Sequence, residues 1–465
     1  MTELHPLDAG FIELEDSDRH ISLGIGAVAI ISGSPPDHSA FAEVLGGRVD
    51  SNARLHQKLR RALLDLSAPV WEEDSNFDLA HHIHWTALPE PADDAALFDF
   101  VAQELEKRLD RDHPLWQCIV VERLTGDRWA LFVKAHHSLV DGVSGVTLFG
   151  TFCDGADAVP ETDESDGVDG EHPLANWLGW AMKGIRLPFE VPRHAVSIVR
   201  GLIPVAAAAV APASGSSLNG VIGQQRRYVA ARTSLTEVRQ IGKTFGTTVN
   251  DVVLAAVASA YRELLLKRGE KPADDTLRIL VPVSVRPADA KYVLDNRVSV
   301  MLPTLPVHLE DPVQRLSVIH ERMAAHKSRG EAQAEKSMIA MTEWLPFAPV
   351  AWTLRLLSHI PQRGITALVT NIPGPRHPLT VHGRQVLALL PIVPIAMRLR
   401  TGIAVLSYGD QLNFGITGDY DTNPDLHLLV DGIHNAIADL LTAARAHRDS
   451  RPADPIMLHP HTSRP

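Results

Sequence analysis

Cysteine is scarce in this chain: Cys118 and Cys153 are the only two among 465 residues. Two cysteines cannot supply the disulfide framework of a small secreted protein, and the first residues show no basic stretch followed by an apolar one. Long apolar runs are also missing, because the nearest candidate, residues 202–212, is too short to cross a bilayer and contains two prolines. We therefore expect a cytoplasmic protein without a membrane-spanning segment.

The chain also lacks a basic excess, since 44 Lys and Arg face 56 Asp and Glu for a formal net charge of −12. A nucleic-acid partner is not expected, because phosphate binding needs a basic face. No G-x-S-x-G sequence is present to suggest a serine hydrolase. Residues 81–84 (HHIH) have no cysteine or carboxylate at ligand spacing, so we expect no metal. The G-x-G at residues 24–26 lies in a strand pattern with no helix after it, and no nucleotide cofactor is expected.

The most informative segment is residues 136–142, with the sequence HHSLVDG. It follows the apolar run 129–133 and precedes an apolar segment with helical character, which predicts a turn between a buried strand and a helix. A histidine there can remove a proton from a hydroxyl if its ring is held in one tautomer. His136 and His137 are adjacent and should point in opposite directions, so only one can do this chemistry. The alternative is a chance pair of hydrogen-bonded core histidines.

Two further residues of the segment can hold the turn. Asp141 can accept a hydrogen bond or pair with an arginine, and Gly142 allows a close approach that a side chain would block.

The segment resembles the signature of the CoA-dependent acyltransferase superfamily, which includes chloramphenicol acetyltransferase, carnitine acyltransferases and the condensation domains of peptide synthetases. Other short segments, in the same order along the chain, narrow this to a resemblance to the bacterial wax ester synthase / acyl-CoA:diacylglycerol acyltransferase family. They are residues 6–8 (PLD) with Phe11, 77–79 (FDL), 88–89 (LP), 114–116 (PLW), 250–251 (ND), 282–286 (PVSVR), Asn296 and 371–375 (NIPGP). The resemblance extends to about residue 445.

The resemblance implies an α/β fold: a two-domain sandwich of mixed sheets flanked by helices, with the active site at the domain interface. The length agrees, because 465 residues with 45% apolar content exceed what one core accommodates. We expect an N-terminal domain at residues 1–154, a connector at 155–220, a C-terminal domain at 221–450 and a flexible tail at 451–465.

The implied activity is O-acyl transfer from acyl-CoA to diacylglycerol or a long-chain alcohol, with His137 as general base supported by His136, Asp141 and Gly142. No covalent acyl-enzyme is needed and acyl-CoA is a substrate, not a cofactor. The alternatives are a condensation or polyketide acyltransferase that takes its acyl group from a carrier protein, and a non-catalytic lipid-binding relative.

The family pattern adds four supporting residues, which are Asn250, Asp251, Arg286 and Asn371. By itself the sequence gives Asn250 a helix-capping role; the resemblance places it beside the active-site channel, where its amide could donate to an oxyanion. In relatives an arginine pairs with the motif aspartate, and Arg286 is the candidate here, with a surface position as the alternative. Asn371 opens a turn that is rigid by composition, and the resemblance places this turn at the domain junction.

CoA carries phosphates, so a local basic pocket is required despite the net charge. Arg226, Arg227, Arg239 and Lys243 are candidates, and a solvated helix face explains them equally well. Residues 177–188 and 344–360 combine Trp, Leu and Phe with isolated basic residues, as helices at a membrane surface do. Peripheral contact with the inner membrane face or with lipid droplets is therefore an alternative to a purely cytoplasmic location, although core helices use the same residues.

Local patterns predict the elements around these sites. The expected strands are residues 20–32, 119–124, 129–133, 277–283, 298–302, 366–369, 402–408 and 411–417. The expected helices are residues 41–49, 95–109, one opened by a capping box at Ser234 and Glu237 and ending at Gly246, and 251–268 with Asn250 as N-cap and Gly269 after its end.

Overall fold

The computed structural model describes residues 2–4, 6–61, 69–140, 142–154, 216–284, 298–326, 362 and 364–449. Most of the expected connector and the whole tail lie outside these residues. The two segments considered for membrane contact, 177–188 and 344–360, lie outside them as well, so that hypothesis stays a prediction.

The first half of the chain alternates helices and strands. The strands are β1 (Thr2–Glu3), β2 (Gly24–Ser32), β3 (Gln57–Arg60), β4 (Val70–Glu73), β5 (Ile83–Thr86), β6 (Trp116–Leu124) and β7 (Arg128–His136). The helices are α1 (Pro6–Ser17), α2 (His38–Asp50), α3 (Asp94–Glu106) and α4 (Gly142–Thr151).

In the second half, the described strands are β8 (Arg226–Ser234), β9 (Leu277–Ser284), β10 (Val298–Met301), β11 (Thr304–Leu305), β12 (Ala367–Ile372), β13 (Thr380–Val381), β14 (Arg384–Ile392), β15 (Thr401–Tyr408) and β16 (Gln411–Asp419). The described helices are α5 (Leu235–Phe245), α6 (Val249–Lys267), α7 (residues 312–326) and α8 (His427–Asp449). All the strands predicted from the sequence are present, with ends that shift by a few residues.

A six-stranded sheet in the order β13-β14-β2-β7-β6-β5 carries the motif, which is the segment of residues 136–142. It contains the predicted hairpin of β6 and β7, joined by residues 125–127 with Gly126 at φ 81°. The side chains of β7 are buried almost throughout, which makes it a rigid core strand. The motif segment begins at the last residue of this strand, as the sequence predicts.

The second sheet has the order β10-β9-β12-β15-β16-β8, with β11 paired to β9. The 19-residue helix α6 packs on α8, and its burial on all sides follows from its dense apolar sequence. The expected domain ranges, 1–154 and 221–450, stay predictions, but the sheets do not follow them strictly. Strand β14 comes from the second range and pairs with β2 from Ile31↔Val386 to Gly26↔Ile392.

Two glycines let β2 lie tightly against β7. A Cβ atom on Gly26 would come within 1.9 Å of the Val133 carbonyl oxygen, and one on Gly24 within 2.2 Å of the Lys134 side chain. Because the first clash is with backbone, it cannot be relieved by a side-chain rotation. The G-x-G pattern here serves strand packing.

The helix termini in the second half agree with those predicted from the sequence, except at one residue. Ser234 accepts a hydrogen bond from the backbone of Glu237, and α5 ends at Gly246 with φ 67°, as predicted. The predicted N-cap at Asn250 is wrong. Thr248 caps α6 in a reciprocal capping box with Asp251, because its hydroxyl lies three residues before a carboxylate that can reach back to it.

Within the described part of the chain, no helix combines the length and the apolar character that a transmembrane segment requires.

Replacing Gly26 by alanine tests the tight packing of β2 on β7. We expect Gly26→Ala to lower the free energy of unfolding by about 1–3 kcal/mol, because the added methyl group displaces backbone. Gly47→Ala is the matched control: its Cβ meets nothing within 4 Å in the exposed part of α2, so it should raise stability by about 0.5–1 kcal/mol. Thermal unfolding midpoints that fall equally in both variants would contradict this account.

Candidate active site

The backbone at the end of β7 is held from both sides. The N–H of His136 donates to the Leu115 carbonyl oxygen at 2.9 Å, and the N–H of His137 donates to that of Leu23 at 3.0 Å. Leu115 belongs to the P-L-W segment before β6, and Leu23 immediately precedes β2. The two histidines are therefore fixed by the strands on opposite sides of β7.

His136 is a buried residue, with 1% of its surface exposed. Its Nδ1 accepts from the Ser138 N–H at 3.1 Å and lies 2.8 Å from the Ser138 hydroxyl. A nitrogen that accepts a hydrogen bond carries no proton, so the proton of the neutral ring is on Nε2. Nε2 lies 3.6 Å from a carboxylate oxygen of Glu15 on α1.

Glu15 is buried to the same extent and is nevertheless ionised. Burial would raise the pKa of its carboxyl, but the interaction with His136 and the hydrogen bonds from the Leu23 N–H and Arg111 outweigh burial and lower the pKa to about 2. The Leu23 N–H donates to Oε1 at 2.9 Å and Arg111 donates to Oε2 at 2.6 Å. A buried anion is thus placed behind the histidine pair.

His137 has different surroundings from its neighbour. It is half-buried, and its ring stacks on that of Phe11 with the centroids 4.0 Å apart and an interplanar angle of 23°. Phe11 and Glu15 lie four residues apart on α1, so they share one face of that helix. The same helix therefore contacts both histidines, and of the two residues only His137 is partly exposed.

Asp141 and Arg286 lie outside the described residues, so their predicted ion pair stays a prediction. Gly142 is the first residue of α4. This agrees with the turn between strand and helix that the sequence predicts for residues 136–142.

The structure brings together two of the other predicted site residues. Asn371, near the end of β12, donates through Nδ2 to Oδ1 of Asn250 at 3.3 Å. Asn250 is the second residue of α6, and the cap at Thr248 leaves its amide uncommitted to the helix backbone. Asp251 faces inward, with 3% exposure, and accepts from the Thr248 backbone at 2.9 Å.

The N-I-P-G-P turn fits closely against β15. The Gly374 N–H donates to the Ser407 hydroxyl at 3.0 Å, and a Cβ at this position would lie 1.9 Å from the Ser407 carbonyl oxygen. Ile372, next to Asn371, packs against the hydrophobic cluster that contains Leu139 and Val140 of the motif segment. The asparagine turn and the histidine turn thus share one core.

Sequence reasoning missed two residues that complete this region. Glu15 could have been linked to the site only if α1 had been predicted. It lies four residues after Phe11, and this spacing places the two side chains on one face only in a helix. His320 on α7 places Nδ1 2.8 Å from the carboxylate of Asp251, and no local pattern indicates this contact, because it joins residues 69 positions apart in the chain.

The candidates for CoA phosphate binding fall into two groups. Arg226 is buried and donates to the carbonyl oxygens of His20 and Gly223, the latter at 2.6 Å. Arg227 stacks over the Tyr420 ring at 3.9 Å. These contacts give both arginines a structural role on β8, and their part in phosphate binding stays a prediction. Arg239 and Lys243 are exposed, one turn apart on α5.

Comparisons with known proteins identify the family. Residues 4–253 match the wax ester synthase/diacylglycerol acyltransferase catalytic domain, and residues 294–441 match the C-terminal domain of the same family. A Mycobacterium tuberculosis protein named as a probable diacylglycerol O-acyltransferase is 41% identical over 460 residues, which cover 97% of this chain and 98% of that protein.

Solved structures lead to the same fold. A wax ester synthase/diacylglycerol acyltransferase from Marinobacter aquaeolei VT8 is 26% identical, with a TM-score of 0.69 over 96% of this chain and 100% of that chain. The first condensation domain of the CDA synthetase has a TM-score of 0.61 at 15% identity, over 95% of this chain and 97% of that chain, and shares the fold alone. The expected two-domain α/β fold is confirmed. Because both domain matches and a relative at 41% identity extend over nearly the whole chain, the protein belongs to the wax ester synthase/diacylglycerol acyltransferase family and is an acyltransferase.

Proposed function

We propose that this acyltransferase transfers a fatty acyl group from acyl-CoA to the hydroxyl of diacylglycerol or of a long-chain alcohol, forming triacylglycerol or a wax ester. Family membership supports the reaction class, and the relatives are named as diacylglycerol acyltransferases and wax ester synthases. The observation that carries the assignment to a residue is the contrast within the histidine pair: His136 is enclosed, while His137 is partly exposed at the end of a fixed strand.

In this mechanism His137 is the general base. Its ring takes the proton of the acceptor hydroxyl as that oxygen attacks the thioester carbonyl carbon, which gives a tetrahedral intermediate. The carbon–sulfur bond then breaks, and the imidazolium returns the proton to the departing CoA thiolate. General-base catalysis of this kind contributes about 10²–10⁴-fold, so positioning of the two substrates supplies much of the remaining acceleration.

Asn250 is our candidate for stabilising the oxyanion of the intermediate. Its Oδ1 accepts from Asn371, so that bond leaves its own amide N–H groups to donate. It also lies in the first turn of the 19-residue helix α6, whose N-terminal end favours a developing negative charge. The role of Asn371 is to orient the Asn250 amide.

The products proposed here are apolar and must pass into a lipid phase. Peripheral contact with a membrane or droplet surface is therefore part of the proposal. The segments that suggested it in the sequence lie outside the described residues, and Arg239 and Lys243 on α5 remain the candidates for contact with the CoA phosphates.

His137→Ala should reduce turnover at least about 100-fold, because the reaction loses its proton acceptor. The thermal unfolding midpoint should stay close to that of the wild type, since the half-buried ring contributes little to the core. His84→Ala is the matched control, as His84 is exposed on β5, remote from the motif in the chain. A His137→Ala enzyme with near-normal ester formation would refute the assignment.

Replacement of Asn250 should separate chemistry from helix capping. We expect Asn250→Ala to lower turnover about 10²–10³-fold, the loss typical of one oxyanion donor, with little change in stability. Thr248→Ala should show the reverse: a cost of about 1 kcal/mol from the lost cap, with turnover retained. If the two variants lose turnover equally, Asn250 has no special part in the reaction.

An assay with one acyl group on two donors tests the proposed substrates. Palmitoyl-CoA should give an ester with diacylglycerol or hexadecanol, and palmitate on the pantetheinyl arm of a carrier protein should give none. Separation of the lipid products shows which acceptor is preferred. Ester formed only from the carrier would indicate a condensation-type enzyme, and binding of palmitoyl-CoA without any ester would indicate a lipid-binding protein.

A further inference from the structure

Behind the histidine pair lies a buried ionic cluster that the proposed mechanism does not use. We define it as Glu15, His136 and Arg111, whose closest contacts are the 2.6 Å bond from Arg111 to Glu15 and the 3.6 Å approach of His136 to Glu15. Glu15 and His136 are each 1% exposed. Burying charged groups this deeply costs desolvation free energy. The stability of the fold therefore does not by itself account for an ion pair here.

Glu15 is connected to both histidines through short paths. One carboxylate oxygen faces the protonated Nε2 of His136. The other accepts the N–H of Leu23, and the carbonyl of Leu23 accepts the N–H of His137. One carboxylate thus acts on the ring of the first histidine and on the backbone of the second.

The tautomer of His136 depends on this arrangement. Ser138 donates its backbone N–H to Nδ1, which requires a lone pair there and a proton on Nε2. A carboxylate opposite Nε2 stabilises that proton, whereas a hydrogen-bond donor in its place would favour the opposite tautomer. In the opposite tautomer, Nδ1–H would face the Ser138 N–H, so two hydrogen-bond donors would oppose each other. This would disturb the turn that follows the histidine pair.

We propose that Glu15 is a positioning residue for acyl transfer: its buried carboxylate fixes the Nε2–H tautomer of His136 and, through Leu23 and the stacked Phe11 of the same helix, the place of the His137 ring. This rests on the proposed role of His137 as the general base. Glu15 does not touch substrate and takes no proton in the reaction.

The neighbouring charges offer a matched control. Asp16 also pairs with Arg111, at 2.7 Å, and bonds Arg61, yet its side chain is 29% exposed and none of its described contacts involves either histidine. Lys134, two residues before His136, is buried too, but it donates to the Glu104 carbonyl oxygen at 2.6 Å at the end of α3. Removal of Asp16 therefore takes one carboxylate from the same arginine without disturbing the tautomer.

The test compares Glu15→Gln with Asp16→Asn. Glutamine keeps an acceptor for Leu23 but places an amide N–H₂ near His136. We expect kcat to fall at least about 10-fold, with less than a threefold change in KM for palmitoyl-CoA and hexadecanol, because the ring of the base is displaced and the substrate contacts are not. Asp16→Asn should stay within about twofold of the wild type in both constants.

Nitrogen-15 NMR of histidine-labelled protein supplies a readout that a merely structural role would not move. The signals of His136, assigned by their loss in His136→Gln, should report the Nε2–H tautomer in the wild type and in Asp16→Asn, and a changed tautomer in Glu15→Gln. The double variant Glu15→Gln/His136→Gln should lose no more kcat than the worse single variant, because the two residues act through one path.

Several outcomes overturn the proposal: Glu15→Gln with wild-type kcat, an unchanged His136 tautomer, or an equal loss in Asp16→Asn. If Glu15→Gln does not fold, Glu15→Asp keeps the charge with a shorter reach, and a folded Glu15→Asp enzyme with undiminished kcat would contradict us. If the wild type forms no ester, the proposed function has failed, and the NMR comparison alone then decides whether Glu15 sets the tautomer.

Discussion

Two backbone hydrogen bonds at the end of β7 determine the arrangement of the rest of the site. They run in opposite directions, from His136 to Leu115 beside β6 and from His137 to Leu23 beside β2. Since β7 is buried between these strands, the two histidines cannot shift without moving the sheet. The tight approach of β2, made possible by glycine, is part of the same constraint. The rigid core strand β7 thus ends at the two histidines and fixes their backbone positions.

The histidine pair shows how one short motif gives two different environments. His136 is enclosed beside a buried carboxylate, and Ser138 and Glu15 together favour its Nε2–H tautomer. His137 is half-buried and stacked on Phe11, so its ring is oriented while the residue stays partly exposed. An acyltransferase of this family needs a base that is both oriented and reachable, and the contrast between the neighbours supports His137 in that role.

The two halves of the chain are interlocked. Strand β14 from the second half completes the sheet that carries the motif, and Arg226 donates to the His20 carbonyl oxygen of the first half. Ile372 packs in the same cluster as Leu139. These contacts hold the pair of Asn250 and Asn371 in a fixed relation to the histidine turn, which suits a reaction that needs a base and an oxyanion donor at once.

The sequence alone determined eight of the strands, the hairpin before the motif, the family and the contrast expected between the two histidines, because strand periodicity and a motif are local properties. It misplaced the cap of α6, since threonine and asparagine both suit that position and only the reach of Asp251 decides between them. The tertiary structure alone decided the contact between Asn250 and Asn371, the structural use of Arg226 and the partnership of Glu15 with His136. Each of these joins residues from 121 to 206 positions apart, and which distant partners meet depends on how the sheets pack, which no local pattern of residues specifies.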